Sequence, residues 1–524
     1  MRDVETVLVG ARPEWPEPPD SLEAGILAAV GAPAPAVARR FGPAGWVGRG
    51  LRSRRGRLLV VGAVLVGSGA ALAVALVSRG GGGVEGAPAS LAFGAPEVVG
   101  DLPGFDTAVD AAVDGSGRVA VVWTRAGRVV VSFRAVGGGW SAPERLSDPA
   151  RRAAYPRVGA GTDGGFTVVW RERLAGREVV QDFRLPDGSP AGTLEASVGT
   201  RWRIAGRTSD ERGGWGETEQ VSAPTATLRA VYEPQLFTSA AGAATAVFAQ
   251  GEEVWSARRN ADGTWVARRV AGSPGQVADV ELAGDRASGA MVATWQSRVT
   301  DPAAGSRRQA WIAIGDASGG WSPPRALGVP SSGQPMQTAA VGPDGTVVAA
   351  WDADGYVTSV RSPSGDWSGP ESVLPGPLAL VNDPPAVGVD GDGRAAVAGD
   401  LYRVRRFTGG FSMTLEGSRL VVGDVDGWQA PRTIGGPRVG RPVIRGDAAG
   451  RLVVLAALTR TARVMVRPVR ADGALGPPRS ASAGYFRRFV IGEDGTSVVV
   501  GTRSTAAGER LQILAAVAPG RGRP

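Results

Sequence analysis

The 524-residue chain contains no cysteine, no histidine and no lysine, so all 58 of its positive charges are arginine. Each absence removes chemistry. Without histidine or cysteine there is no Ser-His-Asp or Cys-His nucleophile, no zinc site built on imidazole or thiolate, and no disulfide framework. Without lysine there is no Schiff base and no P-loop lysine. What remains is carboxylate acid-base work, Ser or Tyr nucleophiles with unusual bases, oxygen-ligand metals, and binding. No cofactor is expected, and no metal site. The length alone allows about three domains, although all-β rings run long as one.

The charge balance of +8 invites a nucleic-acid reading, and its location argues against one. Residues 1 to 57 carry nine Arg against six acids, and the other 467 residues carry 49 Arg against 44 acids with both signs interleaved. That is a mildly charged surface, written by a high-GC, actinobacterial-type genome that uses Arg for Lys. No nucleic-acid partner is expected.

Leu58 to Val77, LLVVGAVLVGSGAALAVALV, is twenty uncharged residues, enough to cross about 30 Å of hydrocarbon as a helix. Arg49, Arg52, Arg54, Arg55 and Arg57 precede it and only Arg79 follows, so the positive-inside rule places residues 1–57 in the cytoplasm and everything after the span outside. Ala73-Val-Ala75 is a candidate cleavage site, but a 57-residue n-region suits an uncleaved signal anchor better. Ala63, Gly67, Ala71 and Ala75 share one helix face, and small residues at that spacing permit a homodimer through the span. In the cytoplasmic segment only Asp20-Ser-Leu-Glu23 followed by Ile26, Leu27 and Val30 reads as ordered, a capping box leading into a short helix. This arm resembles those of membrane-bound anti-sigma factors, without the His/Cys zinc motif many of them carry.

After a Gly-rich linker over residues 78–90, residues 91–519 repeat. Each unit opens with an apolar run, turns at Gly and usually Asp, and returns in a strand that often ends in Trp. The clearest copies are Asp114-Gly-Ser-Gly-Arg-Val-Ala-Val-Val-Trp123, Asp163-Gly-Gly-Phe-Thr-Val-Val-Trp170 and Asp344-Gly-Thr-Val-Val-Ala-Ala-Trp351. A third strand follows, then a Gly-rich turn and a fourth strand marked by Trp and Pro, as at Trp140-Ser-Ala-Pro143 and Trp321-Ser-Pro-Pro324. Four short strands per unit at a mean near 54 residues predict an all-β fold, a β-propeller of about eight blades. The last unit lacks its fourth strand, while Phe93-Gly-Ala-Pro-Glu-Val-Val99 matches that strand and precedes the first blade. The N-terminal strand is therefore expected to complete the last blade. Pro186 to Ala230 is longer than its equivalents and leaves an insertion with its own hairpin at Arg201-Trp-Arg-Ile204, or a decayed blade, open, so that seven or nine blades also fit. Residues 520–524 are a tail.

Trp123, Trp170, Trp295 and Trp351 read as packing residues between sheets. Asp352-Ala-Asp-Gly355, Asp390-Gly-Asp-Gly393 and Asp424-Val-Asp-Gly427 look like fragments of calcium loops but lack the third oxygen ligand and distal Glu, so they read as turns.

Thr208-Ser-Asp-Glu-Arg-Gly-Gly-Trp215 is a near match to the Asp-box, Ser/Thr-x-Asp-x-Gly-x-x-Trp, with Arg212 in place of a Gly. Through it and the blade pattern the chain resembles the sialidase-like propellers. In that group the Asp-box is structural. The resemblance implies a glycoside hydrolase only if an arginine triad, a Tyr-Glu pair and an Asp acid can be found, and Tyr232-Glu233 is the one neighbouring pair. Independently, loops of one propeller face hold Arg128, Arg151, Arg152, Tyr155, Arg171, Arg177, Tyr232, Glu233, Arg308, Arg463, Tyr485 and Arg487. Converged, they would make a cationic, aromatic rim for carboxylate or phosphate groups. The sequence reading is a non-catalytic, membrane-anchored extracellular module that binds a cell-surface protein or anionic glycan. The alternatives are a transmembrane sensor with a cytoplasmic partner and a sialidase-like hydrolase.

Overall fold

A computed structural model describes residues 89–103, 108–161, 164–184, 190–224, 233–273, 275–301, 305–331, 336–353, 355–375, 384–407, 410–447, 449–458, 461–482, 484–505 and 510–520. The expected membrane span, the cytoplasmic helix and Tyr232 lie outside them, as do the side chains at 175–200. The chain divides into two compact units: Val84–Glu178 with Ser197–Pro524, and Met1–Gly83 with Val179–Ala196. In the smaller unit only strand backbone at 179–184 and 190–196 is described.

Eight antiparallel sheets make up the larger unit, and there is no helix among the described residues. In chain order the first strands of blades 1 to 8 are Val109–Val113, Ala153–Ala160, Gln235–Thr238, Val277–Gly284, Gln337–Val341, Ala386–Val389, Val439–Gly446 and Tyr485–Ile491. Each contacts the first strand of the next blade, and that of blade 8 contacts that of blade 1, which closes a ring with these strands around its axis. The N-terminal strand Glu97–Pro103 pairs with Arg510–Ala518 and completes blade 8, as expected from the repeat. This pairing covers the outer edge that Arg510–Ala518 would otherwise present. The region 186–230 adds no blade: Pro190–Thr208 is the third strand of blade 2, and Arg201–Ile204 lies within it rather than in a hairpin of its own.

The repeated residues do the work that their types suggest. Asp114, Asp390 and Asp447 each cap a first turn, accepting backbone N–H bonds two and four residues ahead. Each also pairs with the arginine four residues on, at 2.7 Å for Arg118, 2.6 Å for Arg394 and 3.0 Å for Arg451. Asp424 likewise accepts from the Asp426 N–H, so these acids serve turns. Trp123, Trp170, Trp295 and Trp351 are buried between neighbouring blades. Gly100 in the closing strand shows how close that packing is: a Cβ there would sit 2.6 Å from the Trp123 ring. The later Trp residues differ from expectation. Trp140, Trp215, Trp321 and Trp367 bridge back to Arg134, Ser209, Gly315 and Arg361 at the end of the third strand, and the fourth strand starts only afterwards, at Glu144, Glu219, Arg325 and Glu371.

Candidate ligand-binding channel

The first strands surround the axis, so their register decides what faces the channel. Cross-strand pairing aligns Asp110, Arg157, Gln235, Glu281, Thr338, Ala386, Val443 and Arg488 at one level, opposite Val122, Val169, Val247, Thr294, Ala350, Ala398, Leu455 and Val500. Six of these eight positions are polar. They link blade to blade. Arg488 contacts Asp110 at 2.6 Å, and the other Asp110 oxygen accepts the Val158 N–H of blade 2. Arg157 reaches Gln235 at 3.3 Å and Glu233 at 3.1 Å. Thr338 donates its hydroxyl to Glu281.

Burial sets the electrostatics here. Desolvation pushes the Glu281 carboxyl above its usual range, against the Thr338 hydrogen bond and the pull of Arg445. Desolvation lowers the Arg445 guanidinium to about 10, with Arg488 adding repulsion and Asp110 and Glu281 opposing it. The channel is thus crossed by charges that are only partly matched.

Bulges re-aim the entry ends of these strands. Tyr155, Asp279 and Arg441 have positive φ, and the pairing register slips at each, as it does between Phe486 and Arg488. The neighbouring blade clamps several of these bulges: Asp110 after Tyr155, the Gln337 amide on the Asp279 carbonyl, and the buried Asp400 on the Arg441 N–H. At this end Arg441 and Arg487 stand on adjacent strands. Arg487 is lowered by burial first and by Arg441 second; its Nε reaches the Thr502 hydroxyl at 3.4 Å, and no carboxylate pairs with it among the described residues.

The rim expected from the sequence is distributed differently. Tyr155 and Arg171 do meet: the Arg171 guanidinium lies between the rings of Tyr155 and Trp202, 4.6 Å and 4.5 Å from their centroids. Glu233 is engaged by Arg157. Arg308 bonds Gln296 on its own sheet, Arg152 lies exposed over the turn at Gly127, and Arg463 and Tyr485 are exposed at strand starts. Tyr232 and the Arg177 side chain lie outside the described residues. Two loop arginines counted toward a free cationic rim are tied up, Arg151 by Glu172 and Asp148, and Arg128 by the carbonyls of Gly127, Pro149 and Arg151. Asp110, Glu281, Arg441, Arg445 and Arg488 escaped sequence reasoning. Their signal was a polar residue a few places before each first turn, in strands that otherwise read as core.

The chain matches no family model and no curated protein. Among solved structures it is similar to virginiamycin B lyase from Staphylococcus aureus, at 10% identity over 80% of this chain and 99% of that one with a TM-score of 0.36. The polysaccharide lyase Uly1 matches at 10% identity over 80% and 90% with a TM-score of 0.40, and YCF48 bound to D1 peptide at 12% over 73% and 99% with a TM-score of 0.35. Enzymes and a peptide-bound protein stand side by side among these.

Proposed function

We propose that the chain is a membrane-anchored, extracellular, non-catalytic binding module, whose propeller takes a carboxylate or phosphate group of a cell-surface protein or anionic glycan at the channel mouth formed by Arg441 and Arg487. The observation that carries this reading is Arg487, exposed at the strand start beside a second guanidinium and without a carboxylate partner among the described residues. An arriving anion relieves that repulsion and forms charge-assisted hydrogen bonds. A hydrolase would need two carboxylates addressing opposite sides of a scissile bond. The two acids at one channel level are Asp110 and Glu281, and both Asp110 oxygens are engaged, which favours binding over cleavage. Ala89 and Ser90, the last linker residues, bond Asp447 and Gly495 on the face of the first turns, opposite the arginine mouth.

The test is titration of the full-length chain with poly(glycerol phosphate) at low and high salt. Binding is expected to weaken with salt and to fall about tenfold or more in R441Q/R487Q, the scale for losing hydrogen bonds to a charged group. Equal affinity in that variant would overturn the assignment.

A further inference from the structure

Successive blades meet along seams, and the outer edge of each seam is built from equivalent positions: the residue that opens the fourth strand of one blade, and the third-strand residue that bridges to the trailing Trp of the next. At the seam of blades 8 and 1 these are Glu97 and Arg134, an ion pair at 3.4 Å. At the seam of blades 2 and 3 they are Glu219 and Arg259. Here Glu219 accepts from Arg259 at 2.7 Å and 2.9 Å, and from the indole N–H of Trp265 at 2.6 Å. At the seam of blades 4 and 5 the equivalents are Arg325 and Arg361, beside Trp367. The acid is replaced by a second arginine, and neither guanidinium has a carboxylate partner among the described residues. Arg325 instead lies 5.0 Å over the Trp367 ring, across the seam.

The same seam is open. A groove of about 490 Å³ runs between the two blades, floored by Ile312, Ile314, Trp321 and Pro323 and edged by Asp316, Arg325, Arg361 and Trp367, with the Asp316 carboxylate accepting from Ser318 and the Gly320 N–H of its own turn. At the seam of blades 1 and 2 the place of Ile314 is taken by Phe133, which stacks on Trp215 at 5.8 Å and fills the space. Trp321 is held flat against its own blade because Gly315 beneath it has no side chain; a Cβ there would lie 3.1 Å from the ring. Its indole N–H is fixed on the Ser256 hydroxyl at 3.0 Å. The groove is therefore preformed.

We propose that this groove is a second binding site, which takes a glutamate side chain of an acidic peptide segment in the position that Glu219 occupies within the chain's own seam of blades 2 and 3. The carboxylate would accept from Arg361 and from the Trp367 indole N–H, as Glu219 does from Arg259 and Trp265. Arg325 supplies the second cation, and the apolar floor receives the aliphatic stem. The site stands on the face of the first turns and is independent of the channel mouth.

The experiment titrates capped tetraglutamate, capped tetraglutamine and tetragalacturonate into the full-length chain by calorimetry. Tetraglutamate is expected to bind about tenfold or more tighter than tetraglutamine, and to lose about tenfold in R361Q. R325E rebuilds the internal acid of the seams of blades 8 and 1 and of blades 2 and 3, so it should abolish binding while leaving Tm at or above that of the parent chain. W367F keeps the ring and removes the N–H, and is expected to weaken binding several-fold. R441Q/R487Q should keep the groove affinity, which separates this site from the mouth. No binding of tetraglutamate, or unchanged binding in both R361Q and R325E, overturns the site. Tighter binding of tetragalacturonate that depends on Arg361 overturns the peptide assignment.

Discussion

The seams of blades 2 and 3 and of blades 4 and 5 are built on the same plan and end differently. In the first, one carboxylate bridges an arginine and a tryptophan across the seam. In the second, arginine faces arginine and the seam stays open. The inner half of a seam does not share this difference. Trp351, between blades 4 and 5, is as deeply wedged as Trp123, between blades 8 and 1, and each rests against a glycine of the preceding blade, Gly328 and Gly100. The ring is held together near its axis by hydrophobic wedges, and the outer edges are free to vary. A repeat protein can thus place a site at one seam without weakening the others.

The largest expected effect tests the shared inner wedge. Trp123→Ala and Trp351→Ala should each cost about 3–5 kcal/mol, the usual range for truncating a buried Trp, read as denaturant midpoints. A much smaller loss for Trp351→Ala would mean that the seam of blades 4 and 5 is loose along its whole depth, and would break the comparison. Next comes Glu219→Gln. It leaves Arg259 without its carboxylate, whose hydrogen bond is the main cause of the raised Arg259 pKa, and should cost about 1 kcal/mol. Thermal melts check this, and the same change should let tetraglutamate bind at the seam of blades 2 and 3.

The smallest effect concerns the channel side of blades 4 and 5, where Glu281 meets Thr338. Its folded pKa is raised, so the fold favours the neutral acid. That stabilisation is present below the ordinary carboxylate range and is lost as pH rises through the folded value. Glu281→Gln stays neutral, so it should match the parent chain near pH 4 and melt about 1–3 °C higher near pH 8, the scale on which about 1 kcal/mol moves a large domain. A lower melt at pH 8 would show that Arg445 gains more from the charged Glu281 than burial costs it.

Much of the architecture was legible, for physical reasons. The Asp-x-x-Gly-Arg pattern at Asp114, Asp390 and Asp447 encodes a local turn with its own ion pair, so these three turns are readable without any long-range information. The match of Phe93–Val99 to later fourth strands foretold closure. Region 186–230 misled because a long third strand and an insertion look alike when only turn spacing is read. The site was less legible. Tyr155 and Arg171 meet in space as the expected rim required, yet Arg128 and Arg151 are consumed by carbonyls and by Glu172, partners set by packing between strands. The channel charges were missed because bulges at Tyr155, Asp279 and Arg441 shift the two-residue alternation, and a one-residue slip exchanges the buried and open faces of a strand.

By itself the sequence determined what short-range chemistry controls: the turns, the strand repeat, the wedge tryptophans, the N-terminal strand that closes the ring, and the exclusion of thiol, imidazole and amine catalysis. It also contains the charge that opens the fourth strand at three of the seams, Glu97, Glu219 and Arg325, in plain view after its Trp or Phe. What that charge faces is set by a residue from the next blade. Only the closed ring decides whether a carboxylate finds its arginine or two arginines are left to share a groove, because Coulomb and hydrogen-bond energies depend on distances that chain separation does not fix.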